Sequence, residues 1–158
     1  MDDCSTDNTY RICEEFGINF SKFKIVRTPS NFGCPGGPRN LGVSHAIGDW
    51  VAFLDSDDIW HRDKLSIQLQ TARKFSIDLV SARIFRFKER GYFDANVFFD
   101  VYPCKYVSYL SQMFNYQTPT SSVLVKRRVL DGMRFEEGLD FKAREDIDLW
   151  LRLHRKLG

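Results

Sequence analysis

The stretch that most constrains this chain is Trp50 to Leu54, five consecutive apolar residues that run straight into Asp55-Ser56-Asp57-Asp58. Bounded by Gly48-Asp49 on one side and carboxylates on the other, it has the length of a strand. With no polar alternation, it reads as buried on both faces. Three carboxylates at the end of a buried strand cost on the order of several kcal/mol each unless they are paired or metal-bound. Open α/β sheets place their ligands at the carboxyl ends of strands. Alternate residues of an extended segment point the same way, so Asp55 and Asp57 can converge on one cation. A Mg²⁺ or Mn²⁺ ion takes one or two carboxylates and completes its shell with water and phosphate oxygens. The plain alternative is an Asp-rich turn capping a helix from His61. Asp57 or Asp58 alone fits that alternative; all three carboxylates together fit it poorly.

Around this strand the sequence alternates helix and strand, which predicts an α/β sheet with helices on its faces. Ser5, Thr6 and Asp7 are good N-caps for a helix from Thr6 to Phe16, stopped by Gly17. Phe23 to Arg27 reads as a short strand. A loop rich in Pro, Asn and Gly follows to Gly37, and Pro38 suits the first turn of a helix running to Ile47. His61 to Phe75 is a helix with Leu65, Ile67, Leu69 and Ala72 on its apolar side. Asp78 to Phe87 and Ser121 to Val125 read as strands, the second followed by a helical turn from Lys126. Lys88 to Cys104 is irregular, Lys105 to Phe114 a short helix, and Gly138 to Lys142 a loop. Glu145 to Leu157 is amphipathic, with Ile147, Leu149, Trp150, Leu151 and Leu153 as its apolar face.

At 158 residues the chain makes one domain with a real core. Its net charge of +2 is too mild to argue for a nucleic-acid partner. The basic runs Lys126-Arg127-Arg128 and Arg152 to Lys156 read as solvated faces. The sharper reading of them is peripheral contact with a membrane surface or an anionic substrate. Cys4, Cys13, Cys34 and Cys104 lack C-x-x-C spacing, and no apolar leader opens the chain. Free thiols in a reducing cytosol are the default expectation.

Three further clusters could carry chemistry. Asp2-Asp3-Cys4-Ser5-Thr6-Asp7-Asn8-Thr9 is either an over-provided helix cap or a set of carboxylates that accept hydrogen bonds from a base or ribose. Gly36-Gly37-Pro38-Arg39-Asn40 is either a loop-to-helix junction or a helix start whose amides and Arg39 face an anion. Glu145-Asp146 opens a helix where the helix dipole favours acids anyway. The functional reading is a general base held rigidly at a helix start.

Taken in order, the motifs DDCSTDNT, GGPRNLGVSHAIGDWVAFLDSDDIW, TSSVLVKRRVLD and RFEEGLDFKAREDIDLWLRL resemble those of the family 2 glycosyltransferases, inverting enzymes with a GT-A fold. The resemblance implies a nucleotide-diphospho-sugar donor, foremost a UDP-sugar, a saccharide or lipid-linked acceptor, and Mn²⁺ or Mg²⁺ as cofactor. It implies that Asp2 or Asp3 contacts the base, that Arg39 and Asn40 sit near the nucleotide, and that Asp55 and Asp57 bind the metal and the sugar-ribose side. Asp146 would be the general base, supported by Glu145, with Trp150 and Thr120 to Ser122 on the acceptor side. Cytoplasmic work at the inner face of a membrane, in polysaccharide or glycoconjugate synthesis, goes with it.

The chain also departs from the family's pattern. Cys4 stands where Gly is common. The strand, helix and second strand that normally precede DDxSxDxT, on the order of 35 residues, are expected to be lacking, as is the segment after EDxDLWxRL. The whole chain, 1–158, then reads as a truncated catalytic domain with a partial GT-A sheet. The alternative from another class is an inactive fragment or interaction module of the same ancestry. A phosphotransferase or hydrolase is disfavoured because no G-x-x-x-x-G-K-[ST] loop is present.

Overall fold

The structure, a computed structural model, describes residues 1–84, 104–115, 118–138, 140 and 144–158. Its elements are α1 (Thr9–Gly17), α2 (Gly36–His45), β1 (Trp50–Ala52), α3 (Lys64–Phe75), β2 (Leu79–Ser81), α4 (Tyr109–Asn115), β3 (Val123–Lys126) and α5 (Glu145–Leu157). Short 3-10 turns, Thr120–Ser122 and Arg127–Leu130, flank β3. The predicted mixture of helix and strand is present. The irregular stretch Lys88 to Cys104 falls almost wholly outside the described residues, as do parts of the predicted strand from Asp78 and of the loop from Gly138.

The sheet has the order β1-β3-β2, and both pairings are antiparallel. Val51 faces Val125 in one pairing, and Leu79 faces Val125 in the other. β3 is therefore central, and it is the strand buried on both faces: Val123, Leu124 and Val125 are all nearly inaccessible. The expectation had placed that property on Trp50 to Leu54. β1 instead buries alternate residues, Val51 and then Phe53 beyond its end, while Leu54 is half exposed. Lying at the margin among the described strands, β1 has one covered face, so composition alone overstated its burial.

α5 packs the core. Leu149, Trp150 and Leu153 are fully buried beside Val51, Phe53, Val123, Val125, Val129, Leu130 and Phe135. The rings of Phe53, Phe135 and Trp150 meet edge-on, with centroids 5.4 to 5.8 Å apart. Trp150, expected on the acceptor side, is thus a core residue. Its indole N–H has no hydrogen-bond acceptor among the described residues.

Other boundaries shift for local reasons. Phe23 to Arg27 forms no strand. It contributes one parallel bridge, Asp2 to Arg27, closed by Asp2 N–H to Val26 O and Thr28 N–H to Asp2 O, both 2.9 Å. α1 starts at Thr9, where Asp7 Oδ1 accepts the Thr9 N–H at 2.9 Å. Gly17 ends this helix, and the Phe23 ring lies where a Cβ would be, 2.1 Å from that position. Cys4 has φ 57°, the left-handed conformation that favours glycine.

α3 departs from its predicted face. Its inner side is Lys64, Gln68 and Ala72, while Leu65 and Ile67 are exposed. The cause is hydrogen bonding. Gln68 Nε2 donates to Val80 O in β2 at 3.0 Å and to Ser122 O in the turn before β3 at 2.8 Å. Lys64 Nζ donates to Gln68 Oε1 at 2.8 Å and stands 4.2 Å from the centre of the Trp60 ring. Burial pulls the Lys64 pKa down to about 8. Elsewhere Phe16, Ile18, Phe20 and Phe23 are exposed on the α1 side of the molecule. Among the described residues, no helix is long and apolar enough to cross a membrane.

Candidate active site

Three segments far apart in sequence meet at the end of β1. α2 begins where Gly36 and Gly37 are buried, because their lack of a Cβ lets the backbone close on its neighbours. Arg39 follows in the first turn of the helix. Its Nη2 donates to Asp55 Oδ1 and its Nη1 to Glu145 Oε1, each at 2.7 Å. Only 13% of the Arg39 side chain and 4% of the Glu145 side chain are exposed, against 37% for Asp55. Burial on its own would depress the guanidinium. The pairs with Asp55 and Glu145 outweigh it, and the Arg39 pKa lies above the ordinary arginine value. The guanidinium also stands 5.5 Å from the centre of the Phe135 ring. Glu145 Oε2 is buried and has no hydrogen-bond partner among the described residues.

Asp55 is held from the other side by the entry to β3. Its N–H donates to Ser121 Oγ at 2.9 Å, and Trp60 Nε1 donates to Ser121 O at 2.7 Å. The same 3-10 turn orients Asp146: Thr120 Oγ1 donates to Asp146 Oδ2 at 2.9 Å. Thr120 and Ser121 thus connect the acidic turn after β1 with the start of α5. The sequence placed Thr120 to Ser122 on the acceptor side but gave no sign of this linking role. The signal available was the pair of hydroxyl residues directly before a buried strand.

The remaining candidates are distributed differently. Asn40 uses its whole amide on the segment before α5: Nδ2 donates to Phe135 O at 2.8 Å and Glu137 Oε1 at 2.7 Å, and Oδ1 accepts the Phe135 N–H at 2.9 Å. Asp2 is buried, pairs with Arg27 Nε at 3.2 Å and accepts hydrogen bonds from Ser5. Asp3 accepts Thr28 Oγ1 at 3.0 Å and the Phe32 N–H at 3.1 Å, which folds the loop 28–33 over the N-terminal motif. Asp57 and Asp58 are exposed.

Among the described residues, no three His, Cys, Asp or Glu side chains gather as a metal cluster. A divalent cation here would use Asp55 and Asp57 and complete its shell with water and phosphate oxygens. Hard carboxylate donors in that number suit Mg²⁺ or Mn²⁺ and suit zinc poorly.

The basic runs are largely committed within the molecule. Arg128 and Lys126 pair with Asp78 at 2.8 and 3.4 Å, and Arg127 Nε donates to Gly48 O at 2.9 Å. Arg152 pairs with Asp148 at 2.6 Å, and Lys156 donates to Val129 O at 3.2 Å.

With this geometry in view, the comparisons with known proteins are consistent with one another. The sequence profile of Glycosyl transferase family 2 matches residues 1–132. The poly(ribitol-phosphate) beta-N-acetylglucosaminyltransferase TarS of Staphylococcus aureus is 42% identical over 65 residues, which is 41% of this chain and 11% of that protein. An uncharacterized glycosyltransferase of Haemophilus influenzae is 31% identical over 135 residues, 85% of this chain and 52% of its own length. The crystal structure of S. aureus TarS residues 1–349 superposes with a TM-score of 0.75 at 25% identity, covering 97% of this chain and 44% of that one. The chain spans about half the length of the Haemophilus relative and a smaller share of TarS. The fold is that of a GT-A glycosyltransferase, and the chain belongs to glycosyl transferase family 2.

Proposed function

We propose that this chain carries the donor and base side of an inverting sugar transfer from a nucleotide-diphosphate sugar to an acceptor hydroxyl, in polysaccharide or glycoconjugate synthesis. One observation carries the reading. The acidic turn after β1 and the acidic start of α5 are drawn together on a single guanidinium, Arg39, at 2.7 Å on each side. A departing diphosphate needs charge compensation, and an attacking hydroxyl needs a base. The two sets of carboxylates that would serve these needs share one site.

In this reading Asp2 or Asp3 meets the base of the nucleotide, and Arg39 and Asn40 lie near the nucleotide. Asp55 faces the sugar-ribose side and, with Asp57, would hold Mn²⁺ or Mg²⁺. Such an ion, when bound, offsets the negative charge that builds on the diphosphate. Asp146 takes the proton of the acceptor hydroxyl as that oxygen attacks the anomeric carbon, with Glu145 in support. Attack opposite the leaving group inverts the configuration. The hydrogen bond from Thr120 holds the Asp146 carboxylate in one orientation. The name of TarS supports an N-acetylhexosamine donor and a polymeric acceptor, with a UDP-sugar the first donor to test. Work in the cytoplasm, at the inner face of a membrane, belongs to the same proposal.

The test is calorimetric titration of the chain with UDP, with and without Mn²⁺. Mn²⁺ should tighten UDP binding, and Asp55→Ala combined with Asp57→Ala should remove that gain. A double variant with the same Mn²⁺ dependence as the parent would overturn the assignment of these carboxylates.

A further inference from the structure

Arg39 is placed to act on other protein groups rather than on a ligand. Both of its terminal nitrogens are already used, one on Asp55 and one on Glu145, and its face lies near the Phe135 ring. Its backbone N–H is committed as well, donating to Pro35 O at 3.1 Å in the first turn of α2. Neighbouring Asn40 fixes the same helix to the backbone at residue 135. The guanidinium therefore stands at a defined height between the acidic turn and α5. Glu145 is the asymmetric partner. One carboxylate oxygen accepts a hydrogen bond from Arg39, and the other is buried without a partner among the described residues. A buried half-satisfied carboxylate is costly, and it is retained here directly beside Asp146.

We propose that Arg39 is a positioning residue that couples the donor side of the site to its base side by setting the separation of Asp55 and Glu145. This inference rests on the transferase reading above and deepens it. The planar guanidinium fork holds two carboxylates at fixed angles, which the single point charge of a lysine does not. With Glu145 so held, the first turn of α5 is fixed, and Asp146 is presented at a constant place relative to Asp55. The free oxygen of Glu145 leaves Arg39 a second acceptor on the same carboxylate.

The experiment compares Arg39→Lys, Arg39→Gln and the double variant Arg39→Gln with Glu145→Gln in the full chain. Four quantities are read: urea midpoint, affinity for UDP with Mn²⁺, affinity for uridine, and hydrolysis of UDP-N-acetylglucosamine with water as acceptor. For a positioning residue, Arg39→Gln lowers kcat by about tenfold or more while UDP affinity changes by no more than about threefold, and Arg39→Lys recovers little. The double variant regains the urea midpoint, because no unpaired buried charge remains, yet its kcat stays low.

Recovery of kcat together with the midpoint in the double variant would reduce Arg39 to a structural ion pair and overturn the proposal. So would an Arg39→Gln variant that loses UDP affinity but keeps uridine affinity, since that pattern marks a direct phosphate ligand. A parent chain that binds no UDP with Mn²⁺ present would instead sink the transferase reading on which the coupling depends.

Discussion

Gly36→Ala tests whether the site depends on backbone packing at the start of α2. A Cβ built at Gly36 lies 2.1 Å from the carbonyl oxygen of Glu136 and 3.1 Å from its carbonyl carbon. Relief requires the two backbones to separate by roughly 1 Å, since non-bonded C and O atoms settle beyond about 3 Å. Neither side yields easily. Phe135 is buried against Phe53 and Trp150, and its backbone is tied to Asn40 at both N–H and C=O.

Forced separation costs about 1–3 kcal/mol as overpacking. Stretching the two Asn40 bonds adds about 1 kcal/mol each if they are lost. The expected destabilisation is therefore about 3–5 kcal/mol, the combined size of those two effects. Gly42→Ala is the control. Its Cβ would meet the Met1 side chain, Cγ at 3.3 Å, and that side chain can rotate away. In a helix interior the change should stabilise by about 0.5–1 kcal/mol.

Urea unfolding of both variants, followed by the fluorescence of the three tryptophans, gives the midpoints and slopes. A lower midpoint at unchanged slope reports lost native stability. If Gly36→Ala unfolds at the parent's midpoint, or no earlier than Gly42→Ala, the packing argument for α2 is refuted. The placement of Arg39 by that packing would fall with it.

Two further outcomes are open to measurement. Burial holds Lys64 near pH 8 against an ordinary 10.5, so between these values the unfolded chain binds the more protons and stability should rise with pH. Below pH 8 both states are protonated and the cost of burying the ammonium is fully present. Lys64→Met should therefore stabilise the chain most at neutral pH, with the advantage shrinking toward pH 10.5. A difference in urea midpoint that does not vary with pH would refute this. In addition, Asp146→Asn should abolish transfer or donor hydrolysis while leaving UDP binding nearly intact, because a base acts in the transition state. Retention of most of the turnover would assign the base to another group.

The sequence alone determined the order of the motifs, the mixed α/β composition, and the existence of most helices. It also singled out the acidic turn after Trp50 to Leu54 as a candidate site. These are legible because each rests on local information: a capping residue, a run of apolar side chains, a spacing between carboxylates. The amphipathic period of Glu145 to Leu157 identified its inner face, and the structure buries Leu149, Trp150 and Leu153 as that period requires.

Only the tertiary structure decided which strand lies at the centre, because the burial of a strand's second face depends on neighbours that the strand does not encode. It turned α3 onto Lys64, Gln68 and Ala72, where the Gln68 amide reaches Val80 O and Ser122 O, and left Leu65 and Ile67 exposed. It also brought Arg39 between Asp55 and Glu145, a contact made by residues 16 and 106 positions from the arginine. No periodicity carries such a pairing. It follows from the close approach at Gly36, the lock of Asn40 on Phe135, and the cost of leaving a buried glutamate without a cation.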